Sequence, residues 1–440
     1  MKYSVITFGC RVNQADSLGF EEELLAAGAI AASPQEADLV VVNSCSVTAT
    51  ADQGTRQTIR RIARDNPNAR IVVTGCYATR RPDEVAALPN VQHVVLNDDK
   101  PRLMQLLRNP EKTGENAENA EKNVFSALFA RSAVFSDGDG PCGAAIEPGV
   151  AGRTAFTLRV QTGCAEPCSY CIIPTTRGMP RSRGMDEILR EVERVTAAGF
   201  KEIALTGVHL GSYGRDLNPA SSLIDLLRGL ERSAKASAER LLFRISSLEP
   251  MDCSREIVDL VAASEWFAPH FHLPLQHASN RVLAAMRRPY TIEHYASLVD
   301  HIRARVPSAS IGSDIIAGFP GETDEDFDHL VTYLERSPLT HIHVFPYSDR
   351  PGTAASGMSN KVHGAVIRER GRRLRDVGRT LTERFRTSQV GTVHRALTLE
   401  DGTLAVTGNY LKVRIPAGQA RNEWVRVRMT SQDHGELLRG

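Results

Sequence analysis

Six of the eight cysteines stand where thiolates could act together as ligands of a metal centre. Three of them end short runs that are typical of buried strands: YSVITFGC ends at Cys10, DLVVVNSC at Cys45 and RIVVTGC at Cys76. Because the carboxyl ends of parallel strands share one edge of a sheet, where ligands bind, these three thiols are expected to converge. A small or turn-forming residue, which lets the backbone approach a ligand closely, precedes each cysteine: Gly9, Ser44 and Gly75.

Two kinds of centre suit three convergent cysteines. An iron–sulfur cluster held by three thiolates keeps one iron open, and zinc with three cysteines and a water is the alternative. A single buried cysteine at a strand end would carry no such meaning, since buried cysteine is common in protein cores. Three of them at equivalent positions favour a metal or iron–sulfur site.

A second set of cysteines lies in the stretch GCAEPCSYC. Cys164, Cys168 and Cys171 have the spacing C-x3-C-x2-C and directly follow a predicted strand. This spacing differs from the C-x2-C pairs usual in zinc sites. Three thiolates in one tight loop would hold three irons of a 4Fe-4S cluster and leave the fourth iron free to bind another molecule.

The composition is that of an ordinary globular protein and excludes several other classes. The chain has 440 residues, enough for two or three domains, with 42% hydrophobic and 24% charged residues and a net charge of +1. No apolar run is long enough for a membrane span, and MKYSVITFGCRVN lacks a signal-peptide pattern. We therefore expect a cytoplasmic protein whose reduced thiols bind metal or act in catalysis rather than form disulfides.

Four regions follow from the pattern of the elements. Residues 1–108 alternate Val/Ile-rich strands with helices, which predicts an α/β domain with a doubly wound parallel sheet. The polar, Gly- and Pro-rich stretch 109–150 reads as a linker or insertion, with Cys142 as a stray thiol. Residues 151–386 contain six βα units, which predict a barrel or partial barrel. Residues 387–440 have short strand patterns and predict a small β-barrel.

The segment 361–386 is predicted to be one arginine-rich helix. Its eight arginines outnumber its acidic residues Glu369, Asp376 and Glu383 by five, so it is a local basic surface that the whole-chain charge does not reveal. Such a segment is either a solvated helix face or a contact for nucleic acid.

In these motifs the chain resembles the radical S-adenosylmethionine (SAM) superfamily and, over nearly its whole length, the methylthiotransferases within it. The resemblance is carried by TFGCRVNQADS, VVNSCSVTATAD, CSYCIIPTTRGMPRSR, HLPLQHASNRVLAAMRRPYT, DIIAGFPGETDEDF and FPYSDRPGTAA. It implies an N-terminal methylthiotransferase domain over 1–108, a partial (β/α)6 radical SAM barrel over 151–386 and a TRAM-like RNA-binding β-barrel over 387–440. One departure is LQHAS at 275–279, where LQSGS is more usual.

The resemblance also implies roles for individual residues. Cys164, Cys168 and Cys171 would be catalytic, holding the 4Fe-4S cluster that cleaves SAM to a 5′-deoxyadenosyl radical. Cys10, Cys45 and Cys76 would hold a second 4Fe-4S cluster that carries the inserted sulfur. Contacts to SAM are expected from residues at or near strand ends on the barrel's active edge: Gly207, Ser246, Glu249, Gln276, Gly318 and Gly321.

The implied substrate is N6-threonylcarbamoyladenosine at tRNA position 37, methylthiolated at carbon 2, because TFGCRVNQADS and NSCSVTATAD are most similar to that branch. The alternatives are isopentenyladenosine in tRNA, a ribosomal-protein side chain or, in another class, a zinc-stabilised RNA-binding module without catalysis. The expected partners are the tRNA anticodon stem-loop, a flavodoxin or ferredoxin as electron donor and a sulfur source, with no membrane and a monomeric chain.

Overall fold

The computed structural model describes residues 1–108, 154–237 and 239–438, which fall into two compact units. The first unit contains residues 1–108 together with Ile172–Gly178. The second contains the described residues of 154–171 and of 179–438. The predicted linker at 109–150, with Cys142, lies outside the described residues.

The first unit is built on a five-stranded parallel sheet, as predicted. The strand order is β2-β1-β3-β4-β5, and every neighbouring pair is parallel. Only the two-residue β2 was not expected, because so short a strand leaves no pattern in the sequence. The strands are β1 (Lys2–Thr7), β2 (Ile30–Ala31), β3 (Leu39–Ser44), β4 (Arg70–Gly75) and β5 (Val91–Val95).

Helices cover both faces of this sheet, which confirms the doubly wound architecture. Phe20 and Leu24 pack on one face, and Ile59 and Ile62 pack on the other, each against the Val/Leu side chains of the central strands. A 3₁₀ helix spans Asn97–Arg102. The α-helices are α1 (Arg11–Ala26), α2 (Ala49–Asp65), α3 (Cys76–Arg80), α4 (Pro82–Ala86), α5 (Leu103–Arg108) and α6 (Ile173–Arg177).

Helix α1 begins at Arg11, six residues before the stretch SLGFEEELLAAG, whose apolar pattern predicts a helix starting at Ser17. The first turns of α1 bury mostly polar side chains: beside Val12, the residues Asn13, Asp16 and Ser17 are all nearly inaccessible to solvent. A helix that buries polar groups lacks the apolar stripe by which helices are recognised in a sequence. Its start therefore could not be seen from hydrophobic periodicity.

The second unit contains the six predicted parallel strands as two three-stranded sheets, β10-β9-β6 and β11-β12-β13. A parallel bridge between Phe243 and Phe267 joins them, so the six strands follow one another in chain order as a partial barrel. The strands are β6 (Phe156–Arg159), β9 (Glu202–Thr206), β10 (Leu242–Ile245), β11 (His270–His272), β12 (Ser310–Ala317) and β13 (His341–Pro346), with a small antiparallel pair formed by β7 (Gln161–Thr162) and β8 (Arg181–Ser182).

The helices of this unit follow the βα rhythm. Three short 3₁₀ segments, Leu210–Ser212, Pro250–Asp252 and Ala354–Gly357, lie among them. The arginine-rich helix is continuous over 25 residues, as predicted. The α-helices are α7 (Met185–Ala197), α8 (Leu223–Ala236), α9 (Arg255–Ala263), α10 (Asn280–Ala285), α11 (Ile292–Arg305), α12 (Asp324–Arg336) and α13 (Gly364–Ser388).

The C-terminal residues form an antiparallel sheet of order β16-β15-β14-β17-β18, curled into a half-barrel. A bridge between Arg414 and His434 draws its two ends together. Its loops bind the amino-terminal ends of the barrel strands: the Arg244 guanidinium donates to the Gly408 carbonyl, and Asn409 to that of Ser308. The strands are β14 (Val393–Leu399), β15 (Leu404–Thr407), β16 (Lys412–Arg414), β17 (Trp424–Met429) and β18 (Gly435–Leu438).

Among the helices that the structure describes, none combines the length and the apolar character needed to cross a bilayer.

Candidate active site

The three N-terminal cysteines follow the carboxyl ends of the neighbouring strands β1, β3 and β4. Cys45 and Cys76 are buried, and Cys10 is exposed at the start of α1. Burial, helped by the charges of Cys76 and Cys10, raises the pKa of the Cys45 thiol to about 11, so both other sulfurs lie within electrostatic reach of Cys45. The structure thus brings together the set that the strand ends predicted.

Two glycines shape this cradle, each with a positive φ that side chains rarely adopt: +92° at Gly9 and +98° at Gly75. A Cβ on Gly9 would lie 2.6 Å from the Cys45 sulfur. A Cβ on Gly75 would lie 2.2 Å from the Ser44 carbonyl oxygen. Gly9 therefore makes room for a thiol, and Gly75 makes room for the backbone of the adjacent strand.

Arg177 is a buried cation beside these thiols, and sequence reasoning did not single it out. Its guanidinium hydrogen-bonds the Cys76 sulfur and donates to the side-chain oxygen of Asn13. Asp16 lies 3.4 Å from Arg177 and 2.6 Å from the Lys100 amine. Arg177 and its partners Asn13 and Asp16 stand in two stretches that carry the family resemblance, CIIPTTRG and TFGCRVNQADS. No rule of sequence spacing predicts that these two stretches come into contact.

The second cysteine set lies in a loop that follows β7. Gln161 shapes the entry to this loop, since its amide donates to the carbonyls of Thr162 and Gly163, both at 2.8 Å. The N–H of Cys171 donates to the Cys168 carbonyl at 3.1 Å and closes a turn. Ser169 anchors that turn through its hydroxyl, which donates to the Ala285 carbonyl at 2.8 Å. The loop is therefore held from both sides.

Arg288 joins this loop to Glu249, one of the residues predicted to contact the cofactor. Its guanidinium donates to the Cys168 sulfur at 3.2 Å and forms an ion pair with the Glu249 carboxylate. Burial raises the pKa of Glu249, and the charge of Arg288 opposes that rise. Tyr290 accepts from Arg288 at 3.0 Å and donates to the Pro274 carbonyl at 2.8 Å. Sequence reasoning missed Arg288 because 120 positions separate it from Cys168.

Three more of the residues predicted to contact SAM lie at or near strand ends. A Cβ on Gly207 would meet the Gln161 side chain at 3.0 Å, so Gly207 permits a close approach of two strand ends. The Ser246 hydroxyl is buried and has no hydrogen-bond partner in the described part of the chain. Gln276 has φ +68°, an uncommon conformation for a residue with a side chain, and its N–H donates to the Asp314 carbonyl at 2.8 Å.

Gly318 and Gly321 form the tight GFPGE turn, with φ values of +79° and +82°. The Glu322 carboxylate accepts from the N–H of Gly318 at 2.8 Å and from that of Phe319 at 3.2 Å. The N–H of Gly321 donates to the Asn360 carbonyl at 2.6 Å. These backbone N–H groups already donate hydrogen bonds within the protein, so a ligand at this turn would have to contact other groups.

His277, the departure in LQHAS, is fully buried behind the same turn. Its Nδ1 accepts from the N–H of Ser279 at 3.0 Å, and its Nε2 lies 3.6 Å from the Glu322 carboxylate. Burial lowers the pKa of His277 to about 4, so the imidazole is neutral at physiological pH. The substitution is accommodated inside the protein, where it supports the turn.

Most arginines of helix α13 are engaged in pairs with neighbouring groups. Arg370 bridges Glu322 and Asp324 from a buried position, and Arg373 pairs with Asp328 at 2.9 Å. Arg384 donates to the carbonyls at the end of α12. These contacts fasten α13 to its neighbours, and ion pairs offset part of the basic surface predicted from the sequence.

The C-terminal sheet presents a more open basic face. Strands β16 and β17 alternate between buried Val413, Val427 and Met429, which form the core, and side chains that point outward. The outward cations on these two strands are exposed: Lys412, Arg414, Arg426 and Arg428.

Two family models match the chain. Residues 2–97 match a family described as "Uncharacterized protein family UPF0004", and residues 158–334 match the "Radical SAM superfamily". Among solved structures, the radical SAM methyltransferase TsrM from Kitasatospora setae, with cobalamin and a [4Fe-4S] cluster bound, aligns with a TM-score of 0.55 over 80% of this chain and 73% of its own. At 16% identity that likeness concerns the fold alone.

Curated relatives match over most of the chain. The threonylcarbamoyladenosine tRNA methylthiotransferase MtaB of Aquifex aeolicus is 36% identical over 97% of this chain and 100% of its own length. MtaB of Bacillus subtilis is 36% identical over 84% of this chain and 78% of its own. The tRNA-2-methylthio-N(6)-dimethylallyladenosine synthase of Natranaerobius thermophilus is 32% identical over 90% of this chain and 85% of its own.

Proposed function

Because this chain belongs to the radical SAM methylthiotransferases that modify tRNA, we propose that it attaches a methylthio group to carbon 2 of N6-threonylcarbamoyladenosine at tRNA position 37. The observation that carries this choice of base is the full-length match to MtaB, at 36% identity over 97% of the chain. The enzymes named for dimethylallyladenosine match less of the chain. One is 35% identical over 86% of it, and another is 32% identical over 90%.

We assign a 4Fe-4S cluster to each cysteine set. The donor sets fit such groups, since each offers three thiols in one loop or along one sheet edge, with a buried arginine on one sulfur. Burial raises the thiol pKa of both Cys45 and Cys164 to about 11, so a bound metal is what would keep these sulfurs deprotonated. Zinc also takes thiolate ligands, which keeps the non-catalytic alternative open to a test.

SAM is assigned to the carboxyl ends of the barrel strands, near the loop of Cys164, Cys168 and Cys171. The buried hydroxyl of Ser246, which has no hydrogen-bond partner among the described residues, fits a polar ligand there, because such a group is costly unless something bonds to it. Glu249, Gln276 and Gly207 would line the same edge, with Gly318 and Gly321 shaping the turn beside it.

When bound, the clusters and SAM supply the one-electron chemistry that replaces a C–H bond of the base with a C–S bond. The residues of the chain have supporting tasks. Arg288 holds Glu249 and the Cys168 sulfur in fixed relation. In the same way, Arg177 holds Asp16 and the Cys76 sulfur in a fixed position relative to each other. The reaction needs no general base among the residues for its hydrogen abstraction.

We infer that the anticodon stem-loop binds through backbone phosphates to the exposed cations of the C-terminal sheet. Such contacts position an RNA without reading its sequence, and the unpaired loop leaves the base accessible. The division into residues 1–108, 151–386 and 387–440 then corresponds to sulfur insertion, radical chemistry and RNA binding. A flavodoxin or ferredoxin and a sulfur donor complete the system, which we assign to a monomer in the cytoplasm.

Mass spectrometry of tRNA nucleosides, with and without the gene, tests the proposal. Loss of 2-methylthio-threonylcarbamoyladenosine, with accumulation of its unmethylthiolated precursor, is the expected result. Loss of the dimethylallyl version instead would keep the chemistry and overturn the choice of base. An unchanged profile would overturn tRNA as the substrate and direct attention to a ribosomal protein.

Metal analysis tests the remaining alternative, a zinc-stabilised RNA-binding module without catalysis. Anaerobic reconstitution is expected to yield about two 4Fe-4S clusters per chain, with Cys164→Ala and Cys10→Ala each losing one independently. A colourless protein that holds zinc and no iron after the same treatment would establish the zinc-stabilised RNA-binding module.

A further inference from the structure

Four histidines line one stretch of the partial barrel. Strand β11 contributes His270 and His272, and β13 contributes His341 and His343. The central strand β12 separates them and places Asp314 directly opposite His343 in register. None of these five residues belongs to the cysteine sets or to the strand-end positions assigned to SAM. So many imidazoles around one carboxylate call for an explanation from their geometry.

Three of the five side chains converge on one point. The Asp314 Oδ1 atom lies 3.1 Å from His272 Nε2 and 3.2 Å from His343 Nδ1. The donor atoms of these three residues all lie within 4.8 Å of one another. Two imidazole nitrogens and one carboxylate oxygen are a ligand set used by zinc and by other divalent transition metals.

The spacing also agrees with metal coordination. Tetrahedral zinc with bonds of roughly 2.0–2.1 Å keeps neighbouring ligand atoms about 3.3 Å apart. Both separations from Asp314 are already close to that value. The nitrogens of the two histidines lie within 4.8 Å of each other, and 57% of the His343 side chain is exposed to solvent.

The backbone makes room for this cluster at Gly312. A Cβ at that position would lie 2.3 Å from His341 Nε2 and 3.0 Å from His272 Nδ1. The φ of Gly312 is not in the left-handed region, so the requirement is for space alone. A larger residue on β12 would push the imidazole of His272 away from Asp314.

Exposure increases across the three residues in one direction. The side chain of His272 is 11% exposed, that of Asp314 25% and that of His343 57%. An ion can therefore reach the carboxylate from solvent, while His272 holds it from the interior. Asp314 is also tied to the strand end, because its carbonyl accepts the N–H of Gln276 at 2.8 Å.

We propose that His272, Asp314 and His343 bind one divalent transition-metal ion of the Zn²⁺ class, separate from the cysteine centres. The ligand atoms are His272 Nε2, His343 Nδ1 and Asp314 Oδ1, and solvent completes the coordination. The ion ties strands β11, β12 and β13 together beneath Gln276. Binding does not depend on which RNA or protein the enzyme modifies.

The test adds Zn²⁺ to anaerobically reconstituted protein, in which iron already occupies the six cysteines, and counts tightly held zinc after desalting. X-ray absorption at the zinc edge then identifies the ligands, because Zn–S bonds near 2.3 Å differ from Zn–N and Zn–O bonds near 2.0–2.1 Å. The expected result is about one zinc per chain with a shell of nitrogen and oxygen only.

The variants His343→Ala and Asp314→Asn should each weaken zinc binding at least about tenfold, since even outer-sphere partners of a metal are worth that much. His294→Ala removes an exposed histidine on helix α11 and should leave zinc binding unchanged. Because His343 is exposed, its variant is expected to keep its clusters and its circular dichroism, which separates loss of a ligand from loss of the fold.

Three results would overturn the proposal. They are no zinc retained, a shell that contains sulfur, or retention by His343→Ala equal to that of the wild type. In those cases the cluster is a hydrogen-bonded His–Asp–His network without a metal.

Discussion

The guanidinium of Arg288 donates a hydrogen bond to the Cys168 sulfur at 3.2 Å while pairing with Glu249. The other cysteine set has the same arrangement, since Arg177 bonds the Cys76 sulfur and contacts Asp16. In each case a buried cation on one thiol is held by a carboxylate. Hydrogen bonds and positive charge next to cluster sulfurs favour the more negative, reduced state of an iron–sulfur centre.

Replacing Arg288 with Gln should therefore lower the reduction potential of the cluster assigned to Cys164, Cys168 and Cys171. We expect a shift on the order of 60 mV, which is a tenfold change in a one-electron equilibrium. The measurement is a redox titration followed by electron paramagnetic resonance, in a Cys10→Ala background that leaves one cluster. Arg190→Gln, on the exposed face of helix α7, is the matched control. An unaltered potential in the Arg288 variant would show that the contact has no electronic effect.

Gly9→Ala should abolish the cluster of Cys10, Cys45 and Cys76 and spare the other one. The added Cβ would fall 2.6 Å from the Cys45 sulfur at a φ of +92°, and such backbone strain alone costs about 1–3 kcal/mol. Iron and sulfide per chain should fall by half after anaerobic reconstitution. Gly19→Ala, in open space on helix α1, should retain both clusters. Full iron content in Gly9→Ala would contradict the role given to this glycine.

Glu322→Ala should destabilise the second unit by about 3 kcal/mol, because it leaves the buried Arg370 without one partner and two amides without an acceptor. Chemical denaturation followed by circular dichroism measures the loss. Arg372→Ala breaks only exposed pairs with Glu369 and Asp376 and should cost much less. Equal losses in the two variants would mean that the buried contacts of Glu322 contribute nothing beyond a surface ion pair.

The buried His277 should make stability depend on pH. Its pKa is about 4 in the folded chain, against an ordinary value of 6.5, so the unfolded chain binds the proton more readily. This contribution to folding is fully present above about pH 6.5 and is lost as the pH falls towards 4. Burial dominates; Asp326 opposes the shift and Arg370 and Arg281 add to it.

His277→Gln should therefore flatten part of the fall in unfolding free energy between pH 7.5 and 5. The comparison is between the variant and the wild type under identical cluster loading, by urea unfolding at each pH. His294→Ala, which removes an exposed imidazole, should keep the wild-type slope. Parallel curves for His277→Gln and the wild type would show that folding does not lower the pKa of His277.

Arg426→Ala should weaken binding of an anticodon stem-loop and reduce the slope of log affinity against log salt by about 1. The Arg426 side chain is exposed on the outer face of β17, whereas its neighbour Arg428 pairs with Glu436 at 3.1 Å. The control is Arg379→Ala on helix α13. Because Arg379 pairs with Asp376, its replacement should change the slope little. Fluorescence anisotropy across a salt series gives both values. A larger effect from Arg379 would move the RNA surface to the helix.

The sequence by itself determined the strands, the cysteine sets and the family. Val- and Ile-rich runs predicted four of the five strands of the first sheet, because burial on both faces imposes a continuous apolar run. The alternation of strand and helix patterns predicted the six strands of the barrel. The cysteines at the ends of such runs predicted their own convergence, since parallel strands end at one edge. These features depend on local pattern and on the rule that orders parallel strands.

Only the tertiary structure decided which polar groups surround those cysteines. Arg177 meets Asn13 across 164 positions, and Arg288 meets Cys168 across 120. It also decided that most arginines of α13 are paired and that His272, Asp314 and His343 converge from three strands. Hydrogen bonds and ion pairs act over a few ångströms between residues that are distant in the chain. Their partners are therefore set by how the elements pack, which no local pattern of residues records.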